Sequence, residues 1–169
     1  MGYDLDLLEQ DIVNALKGLT VEANLPENEK KFTRVSAPWT IRIMELIGGL
    51  GCDNGYEVCG AGFDSQWLYD LVWYKNDEKK MLESVQLVLE SEWNTSLEAI
   101  KYDFEKLLIA NAEMKVMICE AKSSDMLNKL FEYFENAIKG YRLGKSGERY
   151  LIAILDENWD FNWRLLIKP

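Results

Sequence analysis

Apolar residues recur at helical spacing at Leu5, Leu8, Ile12, Ala15, Leu16 and Leu19, which predicts an amphipathic helix over residues 4–19 ending near Gly18. Residues 20–35 are polar, contain Pro26 and read as a loop. A second helix is expected after Ser36-Ala37-Pro38, because Ser36 suits an N-cap and Pro38 a first helical turn. Its apolar face is Ile41, Met44, Leu46 and Ile47, and the glycines at 48, 49 and 51 are expected to stop it.

The period then shortens. Residues 56–59 form a short apolar stretch bounded by glycines, and residues 66–74 are rich in aromatic and β-branched residues, which favours strand. The polar residues 76–80 separate that stretch from residues 81–93, where Leu82, Val85, Leu87, Val88 and Leu89 return; the pattern predicts a hairpin. Helical spacing resumes over 95–111, with Leu97, Ile100, Phe104, Leu107 and Leu108 on one side. Residues 115–119 read as a buried strand, 124–141 as a second amphipathic helix ended by Gly140, and 150–155 as a strongly apolar strand. A last strand, 163–167, pairs with it across residues 156–162.

The predicted order is α, α, β, β, β, α, β, α, β, β. A helix after the hairpin, followed by a buried strand, implies a crossover and hence a mixed sheet. The expected fold is α/β, a central mixed sheet with helices on both faces.

Composition narrows the function. The chain has 169 residues, 48% hydrophobic and 28% charged, enough for one domain with a substantial core. No apolar run reaches membrane-span length, and the acidic start MGYDLDLLEQD resembles neither a signal peptide nor a myristoylation site. Three cysteines, Cys52, Cys59 and Cys119, fit reduced thiols in a cytoplasm. Histidine is absent, which argues against a zinc site and removes Ser-His-Asp and Cys-His catalysis. Acid–base chemistry falls to carboxylates, Lys, Tyr or metal-bound water. The net charge of −10 opposes non-specific attraction to nucleic acid and suits basic protein partners.

Against this background one acidic constellation stands out. Glu90 and Glu92 are two apart on a predicted strand, so they share a face, and they directly follow the apolar Leu87-Val88-Leu89. Asp70 interrupts an otherwise apolar, aromatic strand between Tyr69 and Leu71-Val72-Trp73. If the two strands pair, Asp70 approaches Glu90 and Glu92, and carboxylates at close range need a metal or a proton to compensate them. Hard oxygen ligands suit Mg²⁺ or Mn²⁺.

Tyr69-Asp70-Leu71-Val72-Trp73, a turn, then Leu89-Glu90-Ser91-Glu92-Trp93 resembles the core of the PD-(D/E)xK nuclease superfamily, the restriction-endonuclease-like fold. The resemblance covers about half of the chain, residues 37–120, whose predicted order matches the superfamily's α-β-β-β-α-β core; the N-terminal helix and the C-terminal helix and hairpin are additions within the same domain. It implies that Asp70 is the motif's Asp, Glu90 its first acidic residue, and that Glu92 stands in the usual Lys position. It further implies that Lys106, on the following helix, replaces the missing Lys and that Glu45, on the first core helix, joins Asp70 and Glu90 around Mg²⁺ or Mn²⁺. Glu92 would then orient or deprotonate the attacking water, or bind a second metal. The implied activity is phosphodiester hydrolysis of DNA or RNA, and such nucleases often act as homodimers. The departure at Glu92 keeps open an inactive domain of the same fold that binds a protein partner.

A rival ExK, Glu120-Ala121-Lys122, follows the strand at 115–119 but has a helix, not an acidic hairpin strand, before it. Of the six tryptophans most are expected to pack in the core, with Trp93, beside Glu92, the one suspected of lining the site. Lys30, Lys31 and Arg34 form one small basic segment; Lys139, Arg142, Lys145 and Arg149 form the better candidate nucleic-acid patch.

Overall fold

The computed structural model describes residues 4–23, 36–63 and 67–169, and the side chains of all of these except 23 and 36–38. The expectations placed on Pro26, Lys30, Lys31 and Arg34, and on the side chains of Ser36 and Pro38, lie outside the described residues.

Ten elements follow in the predicted order: α1 (Leu5–Ala23), α2 (Ser36–Asp53), β1 (Glu57–Gly60), β2 (Leu71–Asn76), β3 (Leu82–Glu92), α3 (Leu97–Ile109), β4 (Met114–Glu120), α4 (Ser124–Gly140), β5 (Arg149–Leu155) and β6 (Phe161–Ile167). The strands form one six-stranded sheet in sequence order. β1, β2 and β3 are antiparallel neighbours, β3, β4 and β5 run parallel, and β6 returns antiparallel to β5. The two parallel steps need crossovers, and α3 and α4 supply them. The sheet is therefore mixed, with helices on both faces.

Burial explains why the middle strands are apolar throughout. On one face Leu71, Trp73, Leu87, Leu89, Val116 and Ile118 pack with α1 and α2, through Leu8, Ile12, Trp39 and Ile43. On the other Val72, Val88, Met117, Cys119 and Ile152 pack with α3 and α4, through Phe104, Leu107, Phe131 and Phe134. Strands covered on both sides cannot alternate polar with apolar. Serine caps start both crossover helices: Ser96 Oγ accepts from the Ala99 N–H at 3.3 Å, and Ser123 Oγ from the Met126 N–H at 3.2 Å.

Three of the boundary differences from the sequence reading bear on the packing or the site. Helix α1 runs past Gly18 to Ala23. Helix α2 continues through its glycines to Asp53. Tertiary packing overrides their weak helix propensity, because a Cβ on Gly48 would lie 2.2 Å from the Phe63 ring and one on Gly51 2.7 Å from the Trp73 indole. Those glycines let bulky side chains approach the helix axis. Finally, β2 starts at Leu71, so Asp70 sits immediately before the strand and not within it.

β4 carries one buried cation. Lys115 donates to Glu148 Oε2 at 2.9 Å and to the Tyr150 hydroxyl at 3.0 Å, and that hydroxyl donates to the same carboxylate at 2.7 Å. The three groups satisfy one another, which is what burial of a charge requires.

A carboxylate–lysine cluster at the end of the hairpin

The β2–β3 ladder pairs Val72 with Val88 and Leu71 with Leu89. One further step of the same register sets Asp70 opposite Glu90. Cross-strand partners share a face, and Val72 and Val88 belong to the α3–α4 core, so both carboxylates lie on the α3 side of the sheet. Asp70 is fixed there by β3 itself: its Oδ2 accepts from the Ser91 N–H at 2.8 Å and from Ser91 Oγ at 3.1 Å. On its other side, the Asp70 carbonyl accepts from the Ala61 N–H at 3.1 Å. Gly60 makes this possible. Its φ is +150°, and a Cβ there would fall 2.2 Å from the Asp70 carbonyl oxygen.

Glu90 is 1% exposed. Its Oε2 meets Lys106 Nζ at 2.7 Å, and the same ammonium meets Asp103 Oδ1 at 2.9 Å. Lys106 and Asp103 are three apart on α3 and so share one helix face. The other oxygen, Glu90 Oε1, is buried and has no hydrogen-bond partner among the described residues. Tyr69 stands beside the cluster: burial and the Glu90 charge push its phenol pKa up, against the Lys106 charge.

Burial pushes the Glu90 carboxyl up to about 8, overcoming the pull of Lys106, and the nearby charges of Asp70 and Asp103 add to the rise. Lys106 is itself raised: burial lowers it, but its hydrogen bonds and attraction to Glu90 and Asp103 prevail. The arrangement thus holds a permanent cation against a carboxyl that titrates near neutrality.

Of the residues expected at the site, the structure brings Asp70, Glu90 and Lys106 together. It adds Asp103, whose signal was the spacing Asp103-Phe104-Glu105-Lys106. Glu92 lies on the same face two residues beyond Glu90, and its Oε1 accepts from the Asn94 N–H at 2.6 Å, bracing the turn into α3. Glu45 is outside the cluster; it is on α2, across the sheet, and pairs with Arg42 at 3.3 Å. Trp93 also packs across the sheet, with its Nε1–H on Thr40 Oγ1 at 2.8 Å and its ring 6.4 Å from Trp39. Alternation along β3 separates it from Glu92. The rival Glu120 lies at the end of β4 on the α1–α2 side, in step with Val116 and Ile118. The expected basic patch is interleaved with acids: Lys139 pairs with Glu135 at 3.9 Å, and Arg149 with Asp6 and Glu9.

Among the described residues no three His, Cys, Asp or Glu side chains converge into a metal cage. The cluster offers a pair of carboxylates instead, Asp70 and Glu90. Such a donor set fits Mg²⁺, which is commonly held by one or two carboxylates and keeps water or substrate phosphate at its other positions. Glu90 Oε1, buried and without a hydrogen-bond partner among the described residues, is the oxygen that would be left for it.

No protein-family model matches the chain, and no curated protein or solved structure matches it either. No helix among the described residues is long and apolar enough to cross a membrane.

Proposed function

We propose that the chain is a metal-dependent phosphodiesterase acting on DNA or RNA, with a restriction-endonuclease-like core over residues 37–120. The observation that carries this reading is Lys106 Nζ, 2.7 Å from Glu90 Oε2. The strand position that would hold a Lys carries Glu92, and α3 instead delivers the Lys106 ammonium to Glu90. Two carboxylates and a lysine on one face is a grouping suited to a phosphodiester.

Asp70 and Glu90 would hold Mg²⁺ or Mn²⁺. When bound, the metal polarises a phosphoryl oxygen and acidifies water. Lys106 keeps its proton at Nζ and places positive charge where a phosphate's negative charge grows. Asp103 holds that ammonium in position. Ser91, through its N–H and Oγ, orients Asp70.

A second reading is a partner-binding domain of the same fold without catalysis. The closed Glu90–Lys106–Asp103 ion pairing favours it, since a metal must share Glu90 with the ammonium. Calorimetric titration with Mn²⁺ separates the two. The phosphodiesterase reading expects millimolar or tighter binding by the wild type and its loss in Asp70→Asn/Glu90→Gln. Absence of binding by a folded wild type favours the partner-binding domain.

A further inference from the structure

Exposed aromatic side chains stand on α3 beside the cluster and in the segment that leads into Asp70. Trp67 is 44% and Leu68 82% exposed, in the segment that leads through Tyr69 into Asp70. One face of Trp67 stacks on Tyr74, with centroids 4.8 Å apart. Tyr102 on α3 is 70% exposed, and its ring centre lies 5.9 Å from Lys106 Nζ. Trp67 is three residues from Asp70, a chain reach of at most about 11 Å. Large apolar side chains exposed singly need no explanation. Tyr102 borders the cluster, and Trp67 lies over Tyr74, which is four residues along the strand from Asp70 on the same face of the sheet.

Charge decides what such rings can hold. A duplex is gripped mainly through its phosphates, by arrays of Lys and Arg. The chain's net charge is −10, and α3 interleaves its Lys101 and Lys106 with Glu98, Asp103 and Glu105. Phosphate contacts cannot dominate binding on such a surface. Stacking of bases on aromatic rings remains, and it requires base faces that are not already stacked and paired within a duplex.

Building on the phosphodiesterase reading, we propose that the substrate is a single-stranded nucleic acid, its bases stacked on Trp67 and Tyr102 beside the Asp70–Glu90–Lys106 cluster. The scissile phosphate then lies against Lys106 while flanking bases rest on the two rings.

The test is fluorescence anisotropy with short labelled DNA and RNA single strands of mixed sequence and the matching DNA duplex, with Ca²⁺ replacing Mg²⁺, and a parallel cleavage assay in Mg²⁺. Single strands should bind at least about tenfold more tightly than duplex. Trp67→Ala and Tyr102→Ala should each weaken single-strand binding on the order of tenfold. Tyr102→Phe, which keeps the ring, should bind as the wild type does, and so should Trp163→Ala on the distant β6. Equal or tighter duplex binding, or indifference to both alanine variants, overturns the proposal. If duplex is nevertheless cleaved, the phosphodiesterase reading survives that failure. Single-strand binding that depends on both rings, without cleavage of any substrate, instead sustains the stacking surface and removes the catalytic reading. Binding of neither form overturns the proposal outright.

Discussion

Glu90 concentrates the unusual chemistry of this protein in one side chain. Its carboxyl is buried, bonded on one oxygen to Lys106 and unpartnered on the other, and it titrates near 8. An ordinary glutamate in the unfolded chain titrates near 4.5. Between those values the folded state holds a proton that the unfolded state releases, so folding stability falls as pH rises through that window. The contribution of Glu90 is fully favourable below about 4.5 and lost above about 8. Glu90→Gln should therefore flatten the pH dependence of thermal stability between pH 5 and 9 relative to the wild type, as read by melting temperatures across that range. On the phosphodiesterase reading, a bound metal would displace the same proton. Mn²⁺ affinity should rise as pH passes through 8, with proton uptake by the buffer visible as a buffer-dependent calorimetric heat. At this scale Asp70 and Glu90 were legible from residue types and spacing, whereas Lys106 was singled out only by the family resemblance. Asp103 was not singled out because an i,i+3 Asp–Lys pair is common on solvated helix faces. The bracing of Glu92 against Asn94 depends on how the chain turns after β3, which no periodicity encodes.

Elements position these groups, and a glycine at the end of β1 is the tightest constraint. Gly60→Ala would place a methyl group 2.2 Å from the Asp70 carbonyl oxygen at a φ that side chains rarely adopt. Stability should drop by about 2 kcal/mol in denaturant unfolding, and Mn²⁺ affinity should fall with it because Asp70 is displaced. An unchanged affinity would mean that Asp70 is held by Ser91 alone. In β4, Lys115→Met would strand Glu148 beside Tyr150. It should cost roughly 3 kcal/mol, and Lys115→Met combined with Glu148→Gln should recover much of that loss. The order and type of all ten elements were legible, the helices from apolar periodicity and the strands from composition and short apolar runs bounded by turn residues. The glycines of α2 misled, since their helix-breaking tendency yields to the packing of Phe63 and Trp73 against the helix. Asp70 was placed inside a strand for the opposite reason: the aromatic run at 67–74 has strand composition, but Gly60 and the irregular approach through Tyr69 delay pairing until Leu71.

For the whole molecule, the sheet's topology explains why a site arises where it does. β2 and β3 meet as a hairpin, while β3 passes into α3 at its C-terminal end, so a strand pair and a crossover helix converge there. The sequence supplies carboxylates from the hairpin and a lysine from the helix. Strong overall acidity argues against a broad phosphate-binding surface and makes a local ammonium more consequential. The same acidity predicts that single-strand binding changes little between low and moderate salt, because few counterions are released. A steep salt dependence in a binding titration would point to a cationic interface elsewhere on the chain. The measurement closest to the central claim is cleavage of labelled DNA and RNA in Mg²⁺ or Mn²⁺ by the wild type, Asp70→Asn and Lys106→Ala. The account predicts cleavage by the wild type that chelator abolishes, its loss in Asp70→Asn, and a rate lower by about 10²–10³ in Lys106→Ala. A folded wild type that cleaves neither polymer, or variants that cleave as fast as it does, would contradict it.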